Sequence, residues 1–190
     1  MLIVRNDPVG VEADLAAGRL CCPGCGEVLG PWWFARWRVL RDGRRFRPRR
    51  GRCKGCRSTH VLLPDVCLLR RRDSVEVIGV VLSEHSEEAR VKLAERLGVP
   101  WETVRDWWRR FGRWAEAIRA HFTRWLLALT PGTAAPGGVG SRRGDALEAI
   151  GSAARAASLR LGPRSAWSWV SVLTAGRLLS NTSVPWPTPD

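Results

Sequence analysis

RCKGCRSTHVLLPD, residues 52–65, decides how this chain is built. Cys53 and Cys56 have two residues between them, and His60 follows four after Cys56. Such a pair is a redox dithiol, half of a metal site, or an accident of composition. The answer lies upstream. CCPGCG supplies Cys22 and Cys25 at the same spacing, and 27 residues separate Cys25 from Cys53. That gap suits two strands and a hairpin. Cysteine pairs at the two ends of such a hairpin bring four thiolates to one point, and four thiolates complete the tetrahedral shell of a structural Zn²⁺. Gly24, Gly26 and Gly55 beside the pairs let the backbone turn and offer N–H groups to sulfur. The stretch therefore reads as the second half of a zinc ribbon, with Cys22, Cys25, Cys53 and Cys56 as metal ligands.

The competing readings fit less well. A redox C-x-x-C opens a helix after a buried strand, whereas these flanks are arginine-rich and hairpin-like. Cys21 adjoins a ligand and competes with Cys22 in register. His60 is an alternative ligand, but the four-cysteine set is complete without it, and its position suits the junction between ribbon and helices. Cys67, within VLLPDVCLL, reads as a buried apolar cysteine.

Charge points to the partner. Of 31 basic residues all but Lys54 and Lys92 are arginine, and the formal net charge is +13. Residues 31–72 hold fourteen basic and two acidic side chains, whereas residues 73–130 hold nine of each. A local excess of this kind predicts a surface facing a polyanion rather than a diffuse compositional bias; a solvated basic face is the alternative. Arginine is also the better ligand for phosphate and guanine. The start of the chain lacks the apolar stretch of a signal peptide, and the longest apolar runs are too short to span a bilayer. The expectation is a cytoplasmic, nucleoid-associated protein with no membrane and no small-molecule partner.

Along the chain, residues 1–20 read as a short strand, MLIV, and a short helix, VEADLAAGRL. Residues 21–72 form the ribbon: WWFARWRVL favours a strand, Asp42-Gly43 marks a hairpin turn, and Pro48 forces an edge or a bulge on the returning strand. Residues 73–129 turn helical. Asp73 or Ser74 caps the first helix and Ser86 the second. Gly98 ends that helix, Pro100 suits the first turn of the next, and a further helix is expected after Gly112. Residues 130–141 read as a flexible linker, 142–181 as a C-terminal helical pair, and 182–190 as a proline-rich tail. The fold class is thus mainly α with a small β zinc ribbon.

LAERLGVPWETVRDWW has the spacing of a helix-turn-helix. Ala94 lets two helices approach, Gly98 turns the chain, and Val99, Val104 and Trp107 fill the core. Trp101, Glu102, Arg105, Asp106 and Arg109 are left on the outer face near the N-terminal half of the second helix, the part that enters a major groove. Arg105 and Arg109 reach guanine or phosphate; Glu102 accepts from cytosine. Arg44, Arg45 and Arg47, at the hairpin turn, are candidate phosphate anchors. An ordinary helical hairpin is the simpler alternative.

The order of these motifs, with THVLLP, RRRDS and TVRDWWRRF, resembles the N-terminal DNA-binding region of bacterial insertion-sequence transposases. It is also similar to a family of uncharacterised bacterial proteins with a ribbon followed by a helix-turn-helix. The resemblance covers about residues 10–125 and implies binding to mobile-element DNA. The chain departs from transposases in its acids: after Phe111 there are only Glu116, Asp145, Glu148 and Asp190. A catalytic core needs three carboxylates on an α/β scaffold, so no strand cleavage is expected. The sequence therefore predicts a non-enzymatic, zinc-stabilised, sequence-specific binder of double-stranded DNA, as a homodimer or with a recombinase partner. An adaptor recruiting a recombinase through tryptophan-rich helices, an RNA-binding ribbon and a thiol-redox enzyme are the alternatives.

Overall fold

The computed structural model describes residues 1–180 and Trp186; most of the expected tail lies outside the described residues. Four strands form the main sheet: β1 (Leu2–Val4), β2 (Leu29–Phe34), β5 (Arg49–Cys53) and β6 (Thr59–Pro64), in the order β1-β6-β5-β2. A two-stranded ribbon, β3 (Arg38–Val39) with β4 (Arg45–Phe46), projects from the β2–β5 connection. The helices are α1 (Pro8–Ala16), α2 (Val75–Ser83), α3 (Glu87–Arg96), α4 (Trp101–Leu129), α5 (Arg142–Leu161) and α6 (Ala166–Leu173). The fold is mixed α/β, with a four-stranded sheet carrying the cysteines and a helical body dominated by the α4–α5 pair.

The ribbon is wider than a hairpin. THVLLP, in which the sequence places only His60 at the junction of ribbon and helices, is strand β6, antiparallel to β5 and parallel to β1. The reason is long-range. An apolar run becomes a strand when a partner edge exists, and MLIV supplies one through the pairs Leu2–Leu62, Ile3–Leu63 and Val4–Pro64. The expected strand WWFARWRVL is split between β2 and β3, and the returning strand is split at Pro48. Proline cannot donate to a ladder. Its carbonyl instead accepts the Ala35 N–H at 2.8 Å.

Local signals placed most helix ends. Ser74 accepts from the Val77 N–H and Ser86 from the Ala89 N–H, which satisfies backbone donors that the first turn leaves unpaired. Asp73 serves elsewhere, accepting from Arg41 Nε at 2.6 Å and so fastening the turn of the β3–β4 hairpin to the start of α2. Gly98 turns the chain with φ of 62°. Pro100 occupies the N-cap of α4, one position before the first turn, and its carbonyl accepts the Val104 N–H.

The break expected at Gly112 does not occur: α4 runs unbroken for 29 residues. The cause is α5. A Cβ at position 112 would overlap the Arg143 guanidinium, which lies against α4 and 4.6 Å from the Trp108 ring centre. Glycine there serves the close approach of two helices rather than ending one. Along the same side of α5, Ala146, Ala149, Ile150, Ala153 and Ala157 are buried. They belong to the same core cluster as Trp107, Phe111, Ile118 and Phe122 of α4 and Ile78 and Leu82 of α2. The sheet joins this body through Arg164–Asp65, Arg71 to the Leu179 carbonyl, and Ser171 Oγ donating to the Cys67 carbonyl at 2.7 Å. Among the described residues no helix is long and apolar enough to cross a membrane.

One glycine gives a direct test of this packing. Alanine in place of glycine inside a helix normally stabilises by about 1 kcal/mol. At Gly79 of α2, however, an added Cβ would sit within the Trp167 indole. Gly79→Ala is therefore expected to reverse the usual sign and destabilise by about 1–3 kcal/mol, the range for overpacking. Denaturant unfolding checks this; a stabilised variant would mean that α6 does not press on α2 there.

Candidate metal centre and nucleic-acid surface

The two cysteine pairs are built alike. In each, the N–H of the first cysteine is bonded to the carbonyl five residues on: Cys22 to Glu27 at 2.8 Å and Cys53 to Ser58 at 2.9 Å. In each, the residue after the second cysteine is left-handed, Gly26 with φ of 77° and Arg57 with φ of 64°. A Cβ at Gly26 would meet nothing within 4 Å, so glycine is favoured there by backbone conformation alone. Arg57 holds the same geometry with a side chain, in a region that disfavours L-residues.

The pairs face each other because β2 and β5 are antiparallel, with Leu29 opposite Cys53. Cys25 Sγ lies 3.4 Å from Cys53 Sγ and Cys22 Sγ 3.7 Å from Cys56 Sγ, and all four sulfurs lie within 4.8 Å of one another. A tetrahedron of sulfurs at a Zn–S distance of about 2.3 Å has edges of about 3.8 Å. The separations are far beyond the disulfide length of about 2.0 Å, and all four cysteines are free thiols. Cys22 and Cys53 are buried; Cys25 and Cys56 are exposed. The geometry is that of a four-thiolate metal site.

Comparison with protein-family models, curated proteins and solved structures finds no match for the chain.

Thiol electrostatics follow the burial. Burial pushes the Cys53 thiol up to about 11, while hydrogen bonds from Ser58 bring Cys56 down to about 6. The Gly24 N–H points at Cys22 Sγ at 3.4 Å, a charge-assisted contact for a thiolate. His60, on β6, places Nε2 3.3 Å from Cys22 Sγ, with Nδ1 2.9 Å from the Met1 amino group. An amino donor at Nδ1 leaves the proton on Nε2, aimed at sulfur, which is the way outer partners orient and tune metal ligands. The sequence raised His60 as a rival ligand and did not find this contact, because the alignment of β6 with the first cysteine pair is a product of the sheet. Cys21 is exposed and bridges to Val28, outside the cluster. Cys67 is buried, and burial pushes its thiol up to about 11.

The hairpin arginines are exposed, but their partners differ. Arg44 is bound to Asp42, with Nη2 to Oδ2 at 2.6 Å, and this bond holds the Asp42 carboxyl below its ordinary range. Arg45 lies 4.5 Å from the Trp37 ring centre and Arg47 5.3 Å from that of Phe34. Guanidiniums stacked on rings keep their charge and their outward N–H groups, so Arg45 and Arg47 offer more to phosphate than Arg44.

The helix pair α3–α4 has Ala94, Val99, Val104 and Trp107 buried. Glu102, Arg105 and Arg109 are exposed, whereas Trp101 is half-buried and packs against the core. Asp106 is also half-buried. Burial raises its carboxyl, but bonds from Arg110 and Arg109 outweigh this and lower it. Arg109 is thereby tied to its own helix at 2.9 Å. Behind them, the buried Arg90 donates to the Glu84 and His85 carbonyls and stacks 4.0 Å from the Trp108 ring centre, fixing the α2–α3 loop.

Proposed function

We propose that the chain is a DNA-binding protein whose ribbon is held by a structural Zn²⁺ on Cys22, Cys25, Cys53 and Cys56. Duplex DNA meets Arg45 and Arg47 through phosphate and the N-terminal turns of α4 through base edges. The ion supplies a closed four-thiolate cross-link between the two ends of the β2–β5 hairpin. The observation that carries the reading is the density of arginine in residues 31–72, in a chain that also has a helix pair whose second member exposes Glu102 and Arg105. Phosphate contacts position and base contacts specify, and the two arginine groups divide along that line. Arg105 is the stronger base-reading candidate, since Arg109 must first leave Asp106.

The test is binding to a selected and a random duplex at several salt concentrations. Arg45→Ala and Arg47→Ala should weaken both duplexes alike and flatten the log-affinity against log-salt slope by about one unit each. Arg105→Ala should weaken the selected duplex by about 1–3 kcal/mol more than the random one. Equal losses on both duplexes would remove α4 as the reading element.

A further inference from the structure

The ribbon also exposes aromatic rings that duplex binding does not use. Trp32, Trp33 and Trp37 are each more than half exposed, at 51%, 65% and 54%, whereas Trp107 and Trp169 of the helices are buried. Tryptophan at the surface of a charged, polar region is unusual, because each ring leaves a large apolar area in water. The rings are also held in place. Pro31 pairs with Gly51 and Phe34 with Arg49, so β2 carries one residue more than β5 over this stretch. Such a bulge re-aims side chains. Arg52 stacks 4.8 Å from the Trp32 ring centre, Arg45 4.5 Å from that of Trp37, and Arg49 4.5 Å from that of Phe34. Beside them lies a cavity of about 380 Å³ between the N-terminus of α1 and the β3–β4 hairpin, with Phe34, Trp37, Phe46, Arg5, Arg45 and Arg47 in its wall. This is within the usual size of small-ligand pockets, about 300–1,000 Å³. The acids that reach it are engaged: Glu12 is bound by Arg49 and Asp7 caps α1.

We propose that this face binds single-stranded DNA, with one unpaired base entering the cavity against Phe34 and Trp37 and a neighbouring base stacking on Trp33. Rings interleaved with arginines match a strand whose bases are unstacked and whose phosphates are free; a duplex hides its base faces and cannot use the rings. Charge selects the occupant, since a polypeptide strand added to the β2 edge would need acidic side chains to meet the surplus of arginines. The choice of DNA rests on the function proposed above.

The test uses full-length, zinc-loaded protein and four labelled probes read by fluorescence anisotropy: a thymidine 15-mer, the matching uridine RNA, a random duplex and a selected duplex. Trp33→Ala should weaken the thymidine strand about tenfold, with duplex binding and the thermal transition unchanged, since Trp33 supports neither Arg45 nor Arg47. Trp33→Phe, which keeps a ring face, should restore most of the loss. Arg105→Ala should show the opposite split, losing selected duplex and keeping the strand. Wild-type strength on the thymidine strand in the alanine variant would overturn the proposal, as would equal loss on strand and duplex or a more than tenfold preference for the RNA. Strand binding without duplex binding would support this face and reject the duplex reading; binding to neither would reject both.

Discussion

Removing the metal, by chelation or by Cys53→Ser, is expected to melt the sheet while the helical body stays folded. The sheet has little core of its own. The cluster beneath it comprises Val4, Val11, Leu15, Cys22, Leu29, Cys53 and Leu62, and two of these are proposed ligands. The helical cluster draws large side chains from five helices. Structural zinc contributes about 10–16 kcal/mol of apparent binding energy in small modules, comparable with the whole stability of a domain, about 5–15 kcal/mol. One zinc per chain should be released with loss of amide protection across β2, β5 and β6 and little change in α4. Metal-free protein with a fully protected sheet would show that the four thiols do not serve this purpose. Acid should act in the same direction, because the ligands bind as thiolates. Cys53, pushed up to about 11, gives up a proton on binding throughout the neutral range. Cys56, brought down to about 6, gives one up only below that pH. The affinity should therefore fall as pH falls, and more steeply by about one proton per site below pH 6.

Ending the chain at residue 130 is expected to cost the protein its helical fold. Residues 130–141 have the composition of a linker, and the sequence suggests that a fragment ending there would stand alone. The helices on either side of it share one core. Trp107, Phe111, Ile118 and Phe122 of α4 cluster with Ala149, Ala153 and Ala157 of α5 and with Trp169 and Val170 of α6. Each large side chain returned to water costs about 1.5–3 kcal/mol, so exposing a few removes most of an ordinary margin of about 5–15 kcal/mol. His121 adds to the loss. It is fully buried, burial lowers it to about 4 so that it is neutral, and its Nε2–H donates to the Leu173 carbonyl at 2.9 Å. Truncation removes both that bond and the residues that cover the ring. Gel filtration and thermal unfolding of residues 1–130 should show aggregation and no cooperative transition. A monomeric fragment with a sharp transition would mean that α4 is stable without α5.

The amino-acid sequence by itself determined what depends on neighbours in the chain. Two C-x-x-C turns, the caps at Ser74 and Ser86, and the left-handed turn at Gly98 use backbone groups a few residues away, so spacing and residue type were enough to find them. The antiparallel hairpin that brings the cysteines together followed from the same local signals. What depended on distant partners was decided only by the tertiary structure. THVLLP is a strand because MLIV lies beside it; Gly112 continues a helix because Arg143 packs on it; and His60 faces Cys22 because β6 lies against the ribbon. Tryptophan is equally at home inside a core and on a binding surface. Which of the eleven face water is settled by which faces α5, α6 and the sheet cover, and those contacts bring together residues far apart in the chain.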